Sequence, residues 1–493
     1  VKRRLQAPKA ELSVVEGAGV MPWRVEPEWS VDSWKQRIAA QQVLYPDRQA
    51  VDAAVDKLRS LPPLVTSGEV ERLKSLIAEA QEGHRFLLQG GDCAETLADC
   101  RADVIASKLK ILLQMSLVLV HGLRKPVIRV GRFAGQYAKP RSSLTETRDG
   151  VTLPSYFGDL VNRFDFDAAA RRPDPHLMVR GYQHAAMTLN FIRSLIDGGF
   201  ADLHHPEYWD LRFMAHASLP ESLRGEYQTM TRQLAEALRF MELLGEKSVD
   251  DLTRVEFFTS HEGLNLLYES AQTRRVPRRE GFYNLTTHLP WVGERTRALT
   301  GAHVEYFRGI RNPIGVKIGA GMSPADLIAL LDTLNPWDEP GRMVLIHRMG
   351  AAGIGKGLPP LLRAVRDATP APSAVAEPGR TRPAQGRRVL WVCDPMHGNS
   401  LTTSSGIKTR DFSQMIEEIE QAFDLHRQAG TILGGVHFEL TGEDVTECIG
   451  GAGGVSEADL TTNYASPCDP RLNYHQALEM AFVIARKMGN GAG

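Results

Sequence analysis

Cys93, His397, Glu439 and Asp469 are the residues of this chain with most to offer chemically. Each stands in a compact motif: QGGDCAE (89–95), WVCDPMHGN (391–399), GGVHFEL (434–440) and CDPRLN (468–473). A thiol, an imidazole and two carboxylates are ligand types that divalent transition metals accept together. Singly each is weak. A lone Cys is more often an inert buried thiol, a lone His a hydrogen-bonded core or loop residue, and Asp469 a cap for the segment after it. Glu439 is harder to dismiss, because it closes an apolar, strand-like run, and a buried carboxylate must be paired or ligate a metal. One soft and three harder ligands suit Mn²⁺, Co²⁺, Fe²⁺ or Zn²⁺ and disfavour Mg²⁺. Cys100, Cys393 and Cys448 lack such company and read as structural.

A second set is cationic. RVGRFAGQYAKPRS (129–142) gathers Arg132, Lys139, Arg141 and Ser142 in one loop, and Arg295, Lys317 and Arg348 stand near other strand-like runs. Guanidinium forks and ammonium groups bind phosphate, and this much positive charge suits two phosphates. For Arg171, Arg172, Arg274 and Arg275, in polar stretches, a solvated surface is the better reading. For Lys317 and Arg348, embedded in apolar runs, a bound anion is the partner that a buried cation needs.

The elements that must position these residues form a rhythm from residue 84 onward: short apolar run, Gly/polar loop, helical stretch. The runs are RFLLQ (85–89), PVIRVG (126–131), VEFFTS (255–260), FYNLTT (282–287), IGVKIG (314–319), MVLIHR (343–348), VLWVC (389–393) and GGVHFEL (434–440). Helical patterns lie between them at 108–123, 324–334, 359–368 and 415–430. Eight strand–helix units predict an α/β fold of the (β/α)8 TIM-barrel class, with functional groups at the C-terminal ends of the strands. An open doubly wound sheet is the rival, weakened by the lack of a GxGxxG after the first strand. At that rim the spacing puts Asp92, Cys93, Arg132, His261, Glu262, Glu294, Arg295, Arg348, Asp394, His397 and Glu439, with Lys317 inside the fifth run.

The expected organisation is a partly helical N-terminal extension (1–83) and a catalytic barrel (84–493). Extra helices are inserted after the second strand at about 205–245. A Pro-, Ala-, Gly- and Arg-rich flexible loop at about 369–388 precedes a strand and so lies on the face opposite the site. A formal net charge of −1 argues against a nucleic-acid partner. No run of eighteen apolar residues predicts a membrane span. The N-terminus lacks the apolar stretch of a secretory signal, and five scattered cysteines suit a reducing, cytoplasmic setting.

The motifs above, with SYFGDLVN, SHEGL, WVGERTR, RNPIGVK, GIKTR and GGVHFELTGEDVTECIGG, resemble the type II (plant-like) 3-deoxy-D-arabino-heptulosonate 7-phosphate (DAHP) synthases, from about residue 29 to the end. That family condenses phosphoenolpyruvate with erythrose 4-phosphate and releases phosphate, the first step of the shikimate pathway. The resemblance implies a metal, Mn²⁺ or Co²⁺ foremost, on Cys93, His397, Glu439 and Asp469. It implies a phosphoenolpyruvate site of Arg132, Glu294, Arg295, Lys317 and Arg348, and an erythrose 4-phosphate end at Lys139, Arg141 and Ser142. Lys317, Arg132 and Glu294 would be the catalytic groups, with Lys317 a candidate for proton delivery. The N-terminal and inserted helices add apolar faces beyond those the barrel needs, which predicts a homo-oligomer, and the resemblance admits a chorismate mutase partner and an aromatic amino acid effector. The chain departs from the family in the longer 369–388 loop and in ILGG before the last strand. A same-family condensation with an amino-sugar phosphate and a non-catalytic regulatory homologue are the alternatives. Cys468, beside Asp469, is expected to come within bridging reach of Cys93 if the two motifs share a metal.

Overall fold

Eight short strands close into one parallel barrel. They are β1 (Phe86–Gly91), β2 (Val127–Arg132), β3 (Phe257–Glu262), β4 (Leu289–Val292), β5 (Ile314–Gly319), β6 (Met343–Arg348), β7 (Leu390–Cys393) and β8 (Leu433–Glu439), each beside its neighbour in sequence, with β8 returning to β1. The computed structural model describes residues 28–198, 255–368 and 386–489, with Gly225 and Thr229 besides. The helices expected at about 205–245 and most of the 369–388 loop fall outside the described residues.

Side chains alternate along a strand, so each contributes every second residue to the barrel interior. The lower interior is dry: Leu87, Ile128, Val130, Phe258, Leu289, Val344, Ile346, Leu390 and Val392 form one cluster. The same cluster takes in Leu73, Leu76, Ile77 and Ala80 of the helix Ser67–Gln81, which closes the bottom of the barrel. That helix starts on a capping box, in which Thr66 and Glu69 each satisfy the other's backbone N–H. Two residues further up the strands the interior turns polar, with Arg132 above Val130, Arg348 above Ile346 and Glu262 above Ser260. The period of two that builds an apolar plug below thus delivers charge to the rim above.

The outer layer is helical. Its helices are α1 (Ala102–Leu123), α2 (His176–Asp197), α3 (Ala302–Arg308), α4 (Pro324–Leu334), α5 (Ala351–Asp367), α6 (Phe412–Ala429) and α7 (Tyr474–Gly489). By length and hydropathy α1 is apolar enough to cross a membrane. It is instead packed against α7 and the first two strands, and two of its polar side chains find partners inside the protein. Lys108 pairs with the buried Asp92, and Gln114 accepts from Tyr474 Oη at 2.5 Å.

Two sequence-based assignments need correction. The fourth barrel strand is Leu289–Val292, not the run 282–287; Phe282–Asn284 pairs antiparallel with Thr273–Arg275 outside the barrel. The polar residues of that run are committed to a buried network, with Asn284 Nδ2 and Thr286 Oγ1 donating to Glu269 Oε2 at 2.6 and 2.8 Å. Leu289–Val292 is only four residues long and contains Pro290, which masks its strand character in the sequence. The second correction is α5, which begins at Ala351 rather than Pro359. Ile354, Leu358, Leu361, Leu362 and Val365 form its buried stripe, and this outweighs two internal prolines and three glycines.

The ends of the 369–385 segment meet. Gly386 N donates to Ala368 O at 2.8 Å, and Arg387 N to Val365 O at 3.0 Å, at the entrance to β7 and away from the rim. Replacing 369–385 by a short Gly-Ser turn is expected to leave kcat and both KM values within about twofold, since shortening a connection whose ends already meet changes closure entropy little. A large loss of turnover in a folded variant would contradict that placement.

Candidate active site

The C-terminal rim of the barrel opens into a cavity of about 400 Å³. Arg132, Lys139, Arg141, Ser142, Glu294, Arg295, Lys317, Arg348, His397 and Asp469 all line it. Cys93 and Glu439 lie beneath, both fully buried. Every residue singled out for chemistry therefore meets at one place.

Local geometry explains why these chain positions serve. Gly91 ends β1 at φ +144°, and a Cβ there would lie 2.8 Å from Arg132 O, so only glycine lets β1 carry Cys93 past the Arg132 backbone. At Gly293, before Glu294, a Cβ would fall 2.0 Å from Glu262 Oε1. The loop after β2 is held from below by Glu95. Its carboxylate accepts three successive backbone N–H groups, from Ala134, Gly135 and Gln136, at 2.8–2.9 Å. Burial pushes the Glu95 pKa up to about 7.

The metal-type ligands form two triads joined at Asp469: Cys93, Cys468 and Asp469, and His397, Glu439 and Asp469. In each, the donor atoms lie within 4.8 Å of one another. His397 Nε2 stands 3.1 Å from Glu439 Oε1, while its Nδ1 is 2.7 Å from Asp394 Oδ2, the outer carboxylate that orients a ligating imidazole. One thiol, one imidazole and two carboxylates converging on a largely buried spot fit a divalent transition metal.

Cations crowd the same spot. Arg132 donates to Glu439 Oε1 at 3.2 Å and to His437 Nε2 at 2.8 Å, and lies over the Trp291 ring at 5.2 Å. Arg410, fully buried, donates to Glu439 Oε2 at 2.7 Å. Burial opposes ionisation of Glu439, but His397, Arg410 and Arg132 outweigh it and hold its pKa well below the ordinary range. The ammonium of Lys139 lies 2.7 Å from Cys93 Sγ and 3.2 Å from Asp469 Oδ2, so in this structure it sits among the ligands themselves. Lys317 is paired with Asp394, yet burial, with Arg132 and Arg348 nearby, lowers its pKa to about 8. Arg348 pairs with Glu294.

Several groups escaped the sequence reading. Trp291, Gln136, Ser400 and Lys408 line the cavity, and Lys408 Nζ lies 2.5 Å from Asp469 Oδ1. Glu262 was placed at the rim but given no role. Its Oε1 is closed off from solvent without a hydrogen-bond partner among the described residues, and burial raises its pKa. Arg171, read as a surface residue, is fully buried and donates to the carbonyls of Pro154, Phe164 and Asp165. A polar sequence context concealed its structural task of pinning a loop. Outside the cavity, His347, Cys393 and Glu418 also converge. There the carboxylate is already committed to Met349 N, Gly350 N and Asn399 Nδ2, so it shapes the turn after β6.

The model of the class-II DAHP synthetase family matches residues 29–485. This chain belongs to that family. A phospho-2-dehydro-3-deoxyheptonate aldolase of Neurospora crassa is 47% identical over 473 residues, covering 93% of this chain and 94% of that protein. One from Streptomyces coelicolor is 45% identical over 454 residues, covering 92% and 96%. The solved phospho-2-dehydro-3-deoxyheptonate aldolase of Francisella tularensis superposes with a TM-score of 0.42 at 15% identity, across 92% of this chain and all of that one, a likeness too loose to add weight.

The rim has one further feature, expected from Cys468. Its Sγ lies 2.7 Å from Cys93 Sγ, with both thiols free. Chelated protein treated with a small disulfide oxidant is expected to yield a Cys93–Cys468 linked peptide on non-reducing mapping, with activity returning on reduction and metal repletion. Prior loading with metal should protect. Loss of activity without the linked peptide would assign the inactivation to another group.

Proposed function

We propose that this cavity condenses phosphoenolpyruvate with erythrose 4-phosphate to DAHP and inorganic phosphate. The observation that carries the reading is the meeting of metal-type ligands and phosphate-type cations in one rim cavity of a chain from this family. Arg132, Arg295, Lys317 and Arg348, with Glu294 orienting Arg348, would hold the phosphate and carboxylate of phosphoenolpyruvate. Lys139, Arg141 and Ser142 would receive the phosphate of the aldose. Cys93, His397, Glu439 and Asp469 would hold the divalent ion, Mn²⁺ or Co²⁺, which when bound supplies Lewis acidity to the aldehyde oxygen.

The residues' own work is positioning and charge balance. Fixing the two phosphates at opposite ends of the cavity aligns the enol carbon of phosphoenolpyruvate with the aldehyde carbon, and the new C–C bond forms between them. Water adds at the neighbouring carbon and the C–O bond to phosphate breaks. The guanidinium groups neutralise the departing dianion. Lys317 and Glu262 line this region, with burial lowering the lysine pKa to about 8 and raising that of the carboxyl, and Lys317 is the candidate for proton delivery. Because every ligand and phosphate cation is present, a catalytic chain is favoured over a regulatory homologue. Assaying the amino-sugar phosphate beside erythrose 4-phosphate distinguishes the remaining same-family alternative.

Phosphate release from phosphoenolpyruvate and erythrose 4-phosphate tests the reading directly. Chelation is expected to abolish it and Mn²⁺ or Co²⁺ to restore it, whereas His397→Ala and Glu439→Ala should not recover at ordinary metal concentrations. Full turnover in verified metal-free protein would end the metal mechanism. A pH profile tests Lys317 separately. A lysine with a lowered pKa loses its charge as pH rises through that value, so kcat/KM for phosphoenolpyruvate should fall above pH about 8. Lys317→Arg, which keeps its charge, should show no such limb even if its rate is lower. An identical alkaline limb in that variant would assign the titration elsewhere.

A further inference from the structure

The segment preceding the barrel does more than cover it. Residues 29–45 climb the outside of the barrel along α3, from Trp29 beside Gly309 to Ile38 beside Gly301, and are fastened at several points. Trp29 Nε1 donates to Glu305 O at 2.9 Å, Ser33 Oγ to Glu305 Oε1 at 2.6 Å, and Ala302 N to Ile38 O at 3.0 Å. Beyond Ile38 the strap crosses between two loops that line the cavity. Gln42 Nε2 donates to Leu264 O at 2.7 Å and Gln42 Oε1 accepts from Leu266 N at 3.4 Å, in the loop that follows Glu262. Its neighbour Gln41 faces the other loop: Arg141 N donates to Gln41 Oε1 at 2.7 Å.

Two features set that last contact apart. Gln41 adopts φ +61°, a left-handed conformation that is unfavourable for a non-glycine residue and persists only where the surroundings impose it. The anchors on either side, at Ile38 and Gln42, impose it here, and the result is a side chain aimed at the Arg141 amide. In addition, between Lys139 and Ser143 this is the one backbone N–H that is tied down among the described residues. Lys139 is fixed by its carboxylates and by its own amide on Phe157 O at 2.8 Å. Among the described residues Arg141 is otherwise held only by its guanidinium, 3.9 Å from Glu146 Oε2, and Ser142 by no hydrogen bond. A cavity of about 150 Å³ between the strap and Ala138, Lys139 and Phe157 gives the loop room to move without it.

We propose that Gln41 is a positioning residue for the second anion site, fixing the backbone at Arg141 so that Arg141 and Ser142 meet the phosphate of the aldose. This rests on the assignment of that loop to erythrose 4-phosphate. The pair of glutamines then makes the strap a working part of the rim, joining the loop after β2 to the loop after β3.

The test uses the full metal-loaded chain with two substitutions. Gln41→Gly removes the acceptor while leaving φ +61° unstrained, so folding is preserved. Gln41→Glu keeps an acceptor of the same reach. Two readouts are taken, hydrogen exchange of the peptide spanning Arg141 and KM for each substrate. In Gln41→Gly the Arg141 amide should exchange faster and KM for erythrose 4-phosphate should rise about fivefold, the worth of one neutral hydrogen bond. The KM for phosphoenolpyruvate and kcat should stay within about twofold. Gln41→Glu should recover the protection and most of the KM. Unchanged exchange in Gln41→Gly overturns the proposal, as does lost protection with both KM values unmoved. Lost protection with a raised KM for phosphoenolpyruvate instead keeps the positioning role but overturns the substrate assignment of the loop.

Discussion

The site is organised around a carboxylate that has no contact with water. Glu439 is 0% exposed at the end of β8, and an isolated ion there would not survive, because taking a carboxylate out of water costs several kcal/mol even after relaxation. It is ionised because Arg410 lies at 2.7 Å, His397 at 3.1 Å, Arg132 at 3.2 Å and Lys139 at 4.0 Å. Each of those groups comes from a different loop or strand. Neutralising one buried charge therefore fixes the relative positions of β2, the loop after it, the loop after β7 and the hairpin that follows. Removing one partner from such a pair costs about 3–5 kcal/mol, since it strands the other charge. The centre is a fold constraint as much as a functional one.

That constraint also divides the barrel into two halves with opposite needs. The lower half, sealed by the helix Ser67–Gln81, is a packed apolar plug and supplies stability. The upper half holds like charges close together, Arg132, Lys317 and Arg348 among them, and only balances when carboxylates or anionic ligands are present. The same strands serve both halves because alternation places one inward residue per layer. A charge at the top of a strand is tolerable where an opposite charge faces it, as Arg132 and Arg410 face Glu439.

This division explains what was legible in the sequence. Strands with β-branched or aliphatic runs that carry a charge, at the end as in MVLIHR or within as in IGVKIG, announce both their burial and the cavity residue they carry. The barrel follows from their repetition. Leu289–Val292 was missed because a four-residue strand holding a proline has too little pattern to show, while the neighbouring FYNLTT has the composition of a strand but places Asn284 and Thr286 in a side-chain network around Glu269. Propensity describes a segment by itself, and here the tertiary partner decided. The convergence of Cys93, His397, Glu439 and Asp469 was legible because thiol, imidazole and carboxylate in short Gly- and Pro-containing motifs have few structural uses. Arg410 was not, since a buried arginine between Thr409 and Asp411 looks like any charged turn until the carboxylate it faces is known.

Contacts made through backbone groups lie further still from sequence reasoning. Glu95 and Glu418 do comparable work at opposite sides of the rim, each holding a turn through successive N–H groups. Nothing in the residues they hold is chemically distinctive, because a peptide N–H is the same at every position. Both carboxyls have pKa values raised to about 7 by burial, so the donors around them do not fully offset desolvation. They are therefore retained against a cost. What they provide in return is rigidity in the loops that carry Gln136, Arg348 and their neighbours, and a site built on the ends of eight separate strands needs that rigidity more than it needs the last increment of stability.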